Sequence, residues 1–186
     1  TDASSNSTSA HAIVTVMDTI SPNVQSQNIT VALDANGNAS ISTSDIDDGS
    51  SDACGIASMS VSPSSFSCSD LGTNTVTIMV TDNNGNSSTA TATVTVEDNR
   101  APTAIAQNTT IYLDANGSAS LSTMMVDNGS NDNCGISTYS LSKTSFGCGD
   151  LGNNTVVLTV TDASGNSANT AATVTVMDTV SPMVAT

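Results

Sequence analysis

Short runs of alternating apolar and polar residues, broken by Asp, Asn, Gly and Ser, recur along the chain. Between Asn28 and Leu33 the apolar positions Ile29, Val31 and Leu33 fall at period two, which gives an extended segment one buried face. Asp34 to Gly37 then reads as a turn. A second strand is predicted to begin at Ala39–Ile41 and to end near Ile46, before a polar loop from Asp47 to Gly55. Ile56–Val61 is predicted extended, Pro63–Ser65 a turn, and Phe66–Cys68 the start of the return. Thr75–Val80 alternates again, Asp82–Asn86 turns, and Thr89–Val96 closes the unit with Val94 and Val96 facing inward. About seven short strands in some 80 residues is the pattern of a small Ig-like antiparallel β-sandwich. A parallel β-helix would repeat at a far shorter period.

The same pattern is then written out a second time. Val14, Thr15, Val16, Met17 and Asp18 return as Val94 to Asp98 and again as Val174 to Asp178, an offset of 80 each time. Aligned without a gap, Thr19–Asp98 and Asn99–Asp178 share 43 of 80 positions, so one fold is expected twice. Residues 1–18 match the last part of a repeat, and 179–186 match the beginning of one. The expected organisation is therefore the C-terminal strand of a preceding repeat at 1–18, Ig-like repeats at 19–98 and 99–178, and the start of the next at 179–186. A slice of a longer array explains these ends better than strand donation, because both full repeats already own their last strand.

Composition sharpens this. Seventeen acids stand against two cations, Arg100 and Lys143, for a formal charge of −15. Two cations cannot neutralise a row of phosphates, so nucleic acid and anionic lipid are excluded as partners. No apolar run is long enough to span a bilayer, so no membrane insertion is expected, and any export signal is expected outside this segment. Sixteen of the acids are Asp and only Glu97 is Glu, which suits turns rather than helices. The core is thin, with no Trp and one Phe per repeat (Phe66 and Phe146), so covalent or ionic reinforcement is expected.

Cysteines are the first reinforcement. Cys54 and Cys68, and likewise Cys134 and Cys148, are 14 residues apart within one repeat. A hairpin centred near Val61 would set Cys54 against Cys68, so intra-repeat disulfides, and hence an oxidising extracytoplasmic location, are expected. Structural zinc fits worse: there is no CxxC spacing, and His11 is the only histidine.

Aspartates are the second. Asp18, Asp98 and Asp178 sit at repeat junctions, Asp82 and Asp162 open the late turn, and Asp47, Asp48 and Asp52, with Asp127 and Asp132, flank the mid-repeat loop. In an Ig-type sandwich these three elements meet at one pole, where unrelieved carboxylates call for a hard cation with six to eight oxygen ligands, Ca²⁺. For any single Asp the competing assignment is a solvated turn cap. No motif supplies a nucleophile with its base, so no enzyme is expected.

Residues 94–102 (Val-Thr-Val-Glu-Asp-Asn-Arg-Ala-Pro), 28–37, the Asp-x-Cys-Gly-Ile loops and the Val-Thr-Asp-x-x-Gly-Asn turns together resemble the tandem hyalin-repeat (HYR-like), Ig-like modules of giant Bacteroidota cell-surface adhesins. The resemblance spans the whole chain. It implies an extracellular stalk or adhesin filament whose partners are neighbouring repeats of the same polypeptide. It also implies O-glycans at Asp-Thr-apolar sites, which here are Thr19 and Thr179. The middle junction, Asp98-Asn99-Arg100, departs from that pattern. Two further readings are a self-assembling fibre or surface layer of identical chains, and a glycan- or protein-receptor module. Receptor loops should differ between copies and carry aromatics; these loops do neither, which favours the stalk.

Overall fold

The computed structural model describes residue 1 and residues 3–182. Residues 183–186, within the expected start of a further repeat, lie outside the described residues. Twelve strands are described: β1 (Ile29–Ala32), β2 (Asn38–Ser40), β3 (Ile56–Ser62), β4 (Ser65–Ser67), β5 (Gly72–Asp82), β6 (Ser87–Glu97), β7 (Thr109–Tyr112), β8 (Ser118–Ser120), β9 (Ile136–Leu141), β10 (Ser145–Gly147), β11 (Gly152–Asp162) and β12 (Ser167–Met177). Two helical turns, α1 (Thr43–Ile46) and α2 (Thr123–Val126), complete the regular structure with 3-10 turns at Cys68–Asp70 and Cys148–Asp150. The protein is all-β, a tandem of Ig-like sandwich repeats, with β1–β6 repeated in order as β7–β12.

Each set forms a four-stranded sheet, ordered β1-β6-β5-β3 and β7-β12-β11-β9, and a two-stranded sheet, β2-β4 and β8-β10. Most neighbours are antiparallel, but β1 runs parallel to β6 and β7 parallel to β12. Parallel pairing lets the first short strand close the sheet edge beside the last long one.

By contacts the chain divides into two compact units. One gathers 1–28, 42–63 and 75–92; the other gathers 29–41, 64–74 and the chain from Thr93 onward. The second unit holds a complete copy of the fold. There β11 and β12 alternate buried and less buried positions along 11 residues each, so Val156, Leu158, Val160, Val174 and Val176 point into one core. Phe146 from β10 and Val126 from α2 close that core from the other side. The same unit contains β1 paired with Val94–Glu97 and β2 paired with β4, burying Leu33 and Phe66. In the first unit β3 pairs with Thr77–Asp82, and Ile46, Val76, Ile78 and Val80 are fully buried.

Two local expectations are revised. The segment predicted as a strand ending near Ile46 is instead three strand residues followed by α1. Ser42 caps that turn: its backbone N–H donates to the Asp45 carboxylate at 2.7 Å, and the Asp45 N–H donates back to the Ser42 carbonyl. Each copy thus has six strands and a helical turn. Residues 7–17, aligned with β12, form no strand. Ile13, Val14 and Val16 are 95%, 82% and 91% exposed, whereas the aligned Val94 and Val96 are buried. No described strand pairs with this segment, and strand structure is stabilised by its partners.

Replacing Leu158, which has no exposed surface, with Ala should cost roughly 2–5 kcal/mol in urea unfolding, whereas Val16→Ala should change stability by about 0.5 kcal/mol or less.

Candidate metal centre

The sheet geometry gathers three aspartates of the second unit. Asp98 lies just past the end of β6, Asp162 is the last residue of β11, and Asp132 stands in the loop that leads into β9. Each contributes one carboxylate oxygen to a group whose atoms all lie within 4.8 Å of one another. Asp98 and Asp162 are buried, at 4% and 3% exposure. Unit negative charges at that spacing repel by roughly 3–4 kcal/mol per pair at an effective dielectric of about 20. Lys143 offers no relief, since it pairs with Asp150 and lies over the Phe146 ring.

Hydrogen bonds fix the cluster without satisfying it. Asp98 Oδ1 accepts the Arg100 N–H at 3.1 Å and the Asn133 side-chain amide at 3.3 Å. Asp132 Oδ1 accepts the Cys134 N–H at 2.9 Å. Asn166 is the brace: its backbone and side-chain N–H groups donate to the two Asp162 oxygens, and the side chain also donates to the Asp98 carbonyl at 2.9 Å. Two buried oxygens are left with no partner, Asp98 Oδ2 and Asn133 Oδ1. Burying such atoms unpaired costs on the order of 1–3 kcal/mol each. Orphaned acceptors beside three carboxylates are what a bound hard cation would satisfy.

The first unit holds the counterpart. Asp18, Asp52 and Cys54 bring ligand atoms within the same 4.8 Å limit, and Asp18 Oδ2 is again buried and unpartnered. Asn86 repeats the brace, donating from its side chain to Asp82 Oδ2 at 2.7 Å and to the Asp18 carbonyl at 3.2 Å. Asp82, aligned with Asp162, is buried beside it but is not in the group. Burial pushes the Asp82 carboxyl up, but the Asn86, Asn84 and Gly85 hydrogen bonds outweigh it and hold the group below its usual value. The Asp18 carboxylate, by hydrogen bond and by charge, raises the Cys54 thiol above its ordinary value.

Of the predicted metal ligands, Asp18, Asp52, Asp98, Asp132 and Asp162 are thus brought together in two groups. The structure places the others elsewhere. Asp47 and Asp127 cap their own turns, accepting backbone N–H groups of Gly49 and Ser50 and of Gly129 and Ser130. Asp48 is exposed. Asp178 is also exposed and accepts the Val180 N–H at 2.9 Å. Asn133 was not anticipated, because the aligned residue is Ala53 and an isolated Asn carries no motif. Thr19 and Thr179 are exposed.

The expected disulfide pairing is corrected. Cys68 bonds to Cys134, joining the two repeats, while Cys54 and Cys148 are free and exposed. The intra-repeat hairpin does not form because β9 pairs with β11, and β10 pairs with β8 in the other sheet. After Cys134 the chain runs six residues in one sheet as β9 and then three in the other as β10 before Cys148, so the two cysteines do not face each other across one ladder.

No family model matches the chain, and no curated protein matches it. Among solved structures the chain is similar to human mucin-like protocadherin EC1-2, at 12% identity and a TM-score of 0.44, over 84% of this chain and 98% of that one. It is similar to Drosophila N-cadherin EC1-4 at 12% identity and TM-score 0.44, over 85% and 50%. It is similar to the protocadherin gammaB7 EC3-6 cis-dimer structure at 16% identity and TM-score 0.39, over 84% and 51%. The chain therefore spans about half the length of several structures it matches. No described helix is long and apolar enough to cross a membrane.

Two outcomes follow from this geometry. Non-reducing peptide mapping should find Cys68 linked to Cys134, and Cys134→Ser should lower stability by up to about 4 kcal/mol in the chain-entropy model for a separation of 66 residues. The Asp34 carboxyl is held below its usual 3.8 chiefly by the Asn38 N–H and then the Asn36 N–H, and Asp114 likewise by Ser118 and Asn116. Their contribution is present above the unfolded value and is lost as pH falls through the lower folded value. Stability should therefore drop below about pH 4, and Asp34→Asn with Asp114→Asn should make that drop shallower.

Proposed function

We propose that this chain is a segment of an extracellular structural or adhesive array, built from repeats at 19–98 and 99–178 and stiffened at each joint by Ca²⁺. One observation carries the reading: Asp98 Oδ2 and Asn133 Oδ1 are buried, unpartnered acceptors beside a three-carboxylate cluster. Asp98, Asp132 and Asp162 would hold the ion, with Asn133 Oδ1 as a neutral oxygen ligand. With Cys134 tied up in a disulfide, that centre offers oxygen alone, which suits Ca²⁺ rather than a thiophilic metal. Because Asp98 follows the last strand of one repeat while Asp132 and Asp162 belong to the next, the cation would fasten the joint itself.

The resemblance to HYR-like adhesin modules supports the cell-surface assignment. So does the composition: a charge of −15 on a polar β surface keeps a long filament soluble. Thr19 and Thr179, both exposed, are the proposed O-glycan sites. The physical job is reach, with neighbouring repeats as partners and no chemistry to perform.

Thermal melts of the oxidised chain in millimolar Ca²⁺ and in EDTA test this. Ca²⁺ should raise the midpoint, by the equivalent of about 2.7 kcal/mol at a hundred times Kd. Asp98→Asn should remove most of that gain. Coincident curves for the unmodified chain would overturn the Ca²⁺ reading and leave the aspartates as turn caps.

A further inference from the structure

Cys54 and Cys148 are free and exposed, yet neither stands in an unfamiliar setting. At the offset of 80, Cys148 aligns with Cys68 and Cys54 with Cys134. The two free thiols are the two kinds of half that already meet in the Cys68–Cys134 bond.

The local geometry repeats as closely as the sequence. Cys68 Sγ lies 3.7 Å from the Gly37 carbonyl oxygen, and Cys148 Sγ lies 3.8 Å from that of Gly117. A Cβ on Gly37 would come within 2.6 Å of Cys68 Sγ, and one on Gly117 within 2.7 Å of Cys148 Sγ. Each glycine therefore clears the same seat for a sulfur, at backbone φ of 74° and 73°. On the other half, the Cys134 N–H donates to Asp132 Oδ1 at 2.9 Å and the Cys54 N–H to Asp52 Oδ1 at 2.8 Å. Asp18 stands by Asp52, two residues before Cys54, as Asp98 stands by Asp132, two residues before Cys134.

We propose that Cys148 and Cys54 are complementary halves of a second inter-repeat disulfide joint, and that a second copy of this chain can complete it, Cys148 of one copy bonding to Cys54 of the next. Such a contact is heterologous, so it propagates head to tail rather than closing as a dimer. The proposal rests on the array reading but not on Ca²⁺.

Bond formation needs an oxidant, and a small-molecule disulfide supplies it. A Cys148 thiolate attacks one sulfur of oxidised glutathione, and a glutathione thiolate leaves. The Cys54 thiolate of a second copy then attacks the Cys148 sulfur of the mixed disulfide, and the second glutathione thiolate leaves. Two protein thiols are oxidised and one glutathione disulfide is reduced to two thiols.

One competitor for the joint is internal. Residues 7–17 align with β12 and 179–186 with 19–26, so a docked copy brings duplicates of both segments. The experiment therefore has two arms, the full chain and a chain trimmed to residues 19–178, which keeps all twelve strands. Each is incubated with oxidised glutathione at pH 8 and resolved on non-reducing gels, and the cross-links are mapped by mass spectrometry. The expected result, in at least one arm, is a ladder of oligomers joined by Cys148–Cys54 links. Cys148→Ser or Cys54→Ser alone should abolish the ladder and leave no more than trace dimer. Symmetric Cys54–Cys54 or Cys148–Cys148 dimers in statistical proportion, an intrachain Cys54–Cys148 bond, or glutathione-capped monomers in both arms would overturn the proposal. Loss of the Ca²⁺ effect on melting with the ladder intact would overturn the metal reading instead.

Discussion

Seventeen acidic side chains share two cations, and the fold is organised by where those carboxylates go. Most are absorbed by the backbone. Asp34 and Asp114 each accept two turn N–H groups, Asp47 and Asp127 cap loops, and Asp82 and Asp162 are clamped by Asn86 and Asn166. A carboxylate satisfied this way costs little and pins a turn, which is why the same residues appear in both copies. The exceptions are at the joints. Asp18 and Asp98 each bury one oxygen that no described residue satisfies, and both stand at the 80-residue junctions of the repeated sequence. Repulsion that the backbone cannot relieve is concentrated at the position where an external cation would do structural work.

The disulfide makes sense beside that arrangement. A repeat with one Phe and no Trp buries a modest apolar core, here chiefly Val, Leu and Ile on the long strands β11 and β12 and their counterparts. Such a core sustains each copy up to its boundary with the next. Cys68–Cys134 crosses that boundary covalently, within a few residues of Asp132. Carboxylate cluster and disulfide therefore meet on one loop, Asp132 to Cys134.

The strands were largely legible because period-two alternation is a direct consequence of burying one face; Val94 and Val96, expected to face inward, are buried. The gathering of Asp98, Asp132 and Asp162 was legible only as a set, because sandwich topology places those loops at one pole while sequence does not say which carboxylate a turn will consume. Asp47 and Asp127 were lost to that ambiguity. Disulfide partners were misassigned because spacing in sequence implied a hairpin, whereas β10 crosses to the other sheet. Strand exchange between sheets depends on long-range pairing that a 14-residue interval does not reveal. Asn133 was invisible for a plainer reason: its copy is Ala53, so repetition, the strongest signal in this sequence, argued against it.

The most direct measurement of the central claim is calorimetric titration of Ca²⁺ into the oxidised, metal-free chain at neutral pH, beside Asp98→Asn and Asp132→Asn. Saturable binding that both substitutions at the joint weaken by tenfold or more is the predicted result. No binding, or binding that neither substitution alters, would contradict a cation-fastened joint.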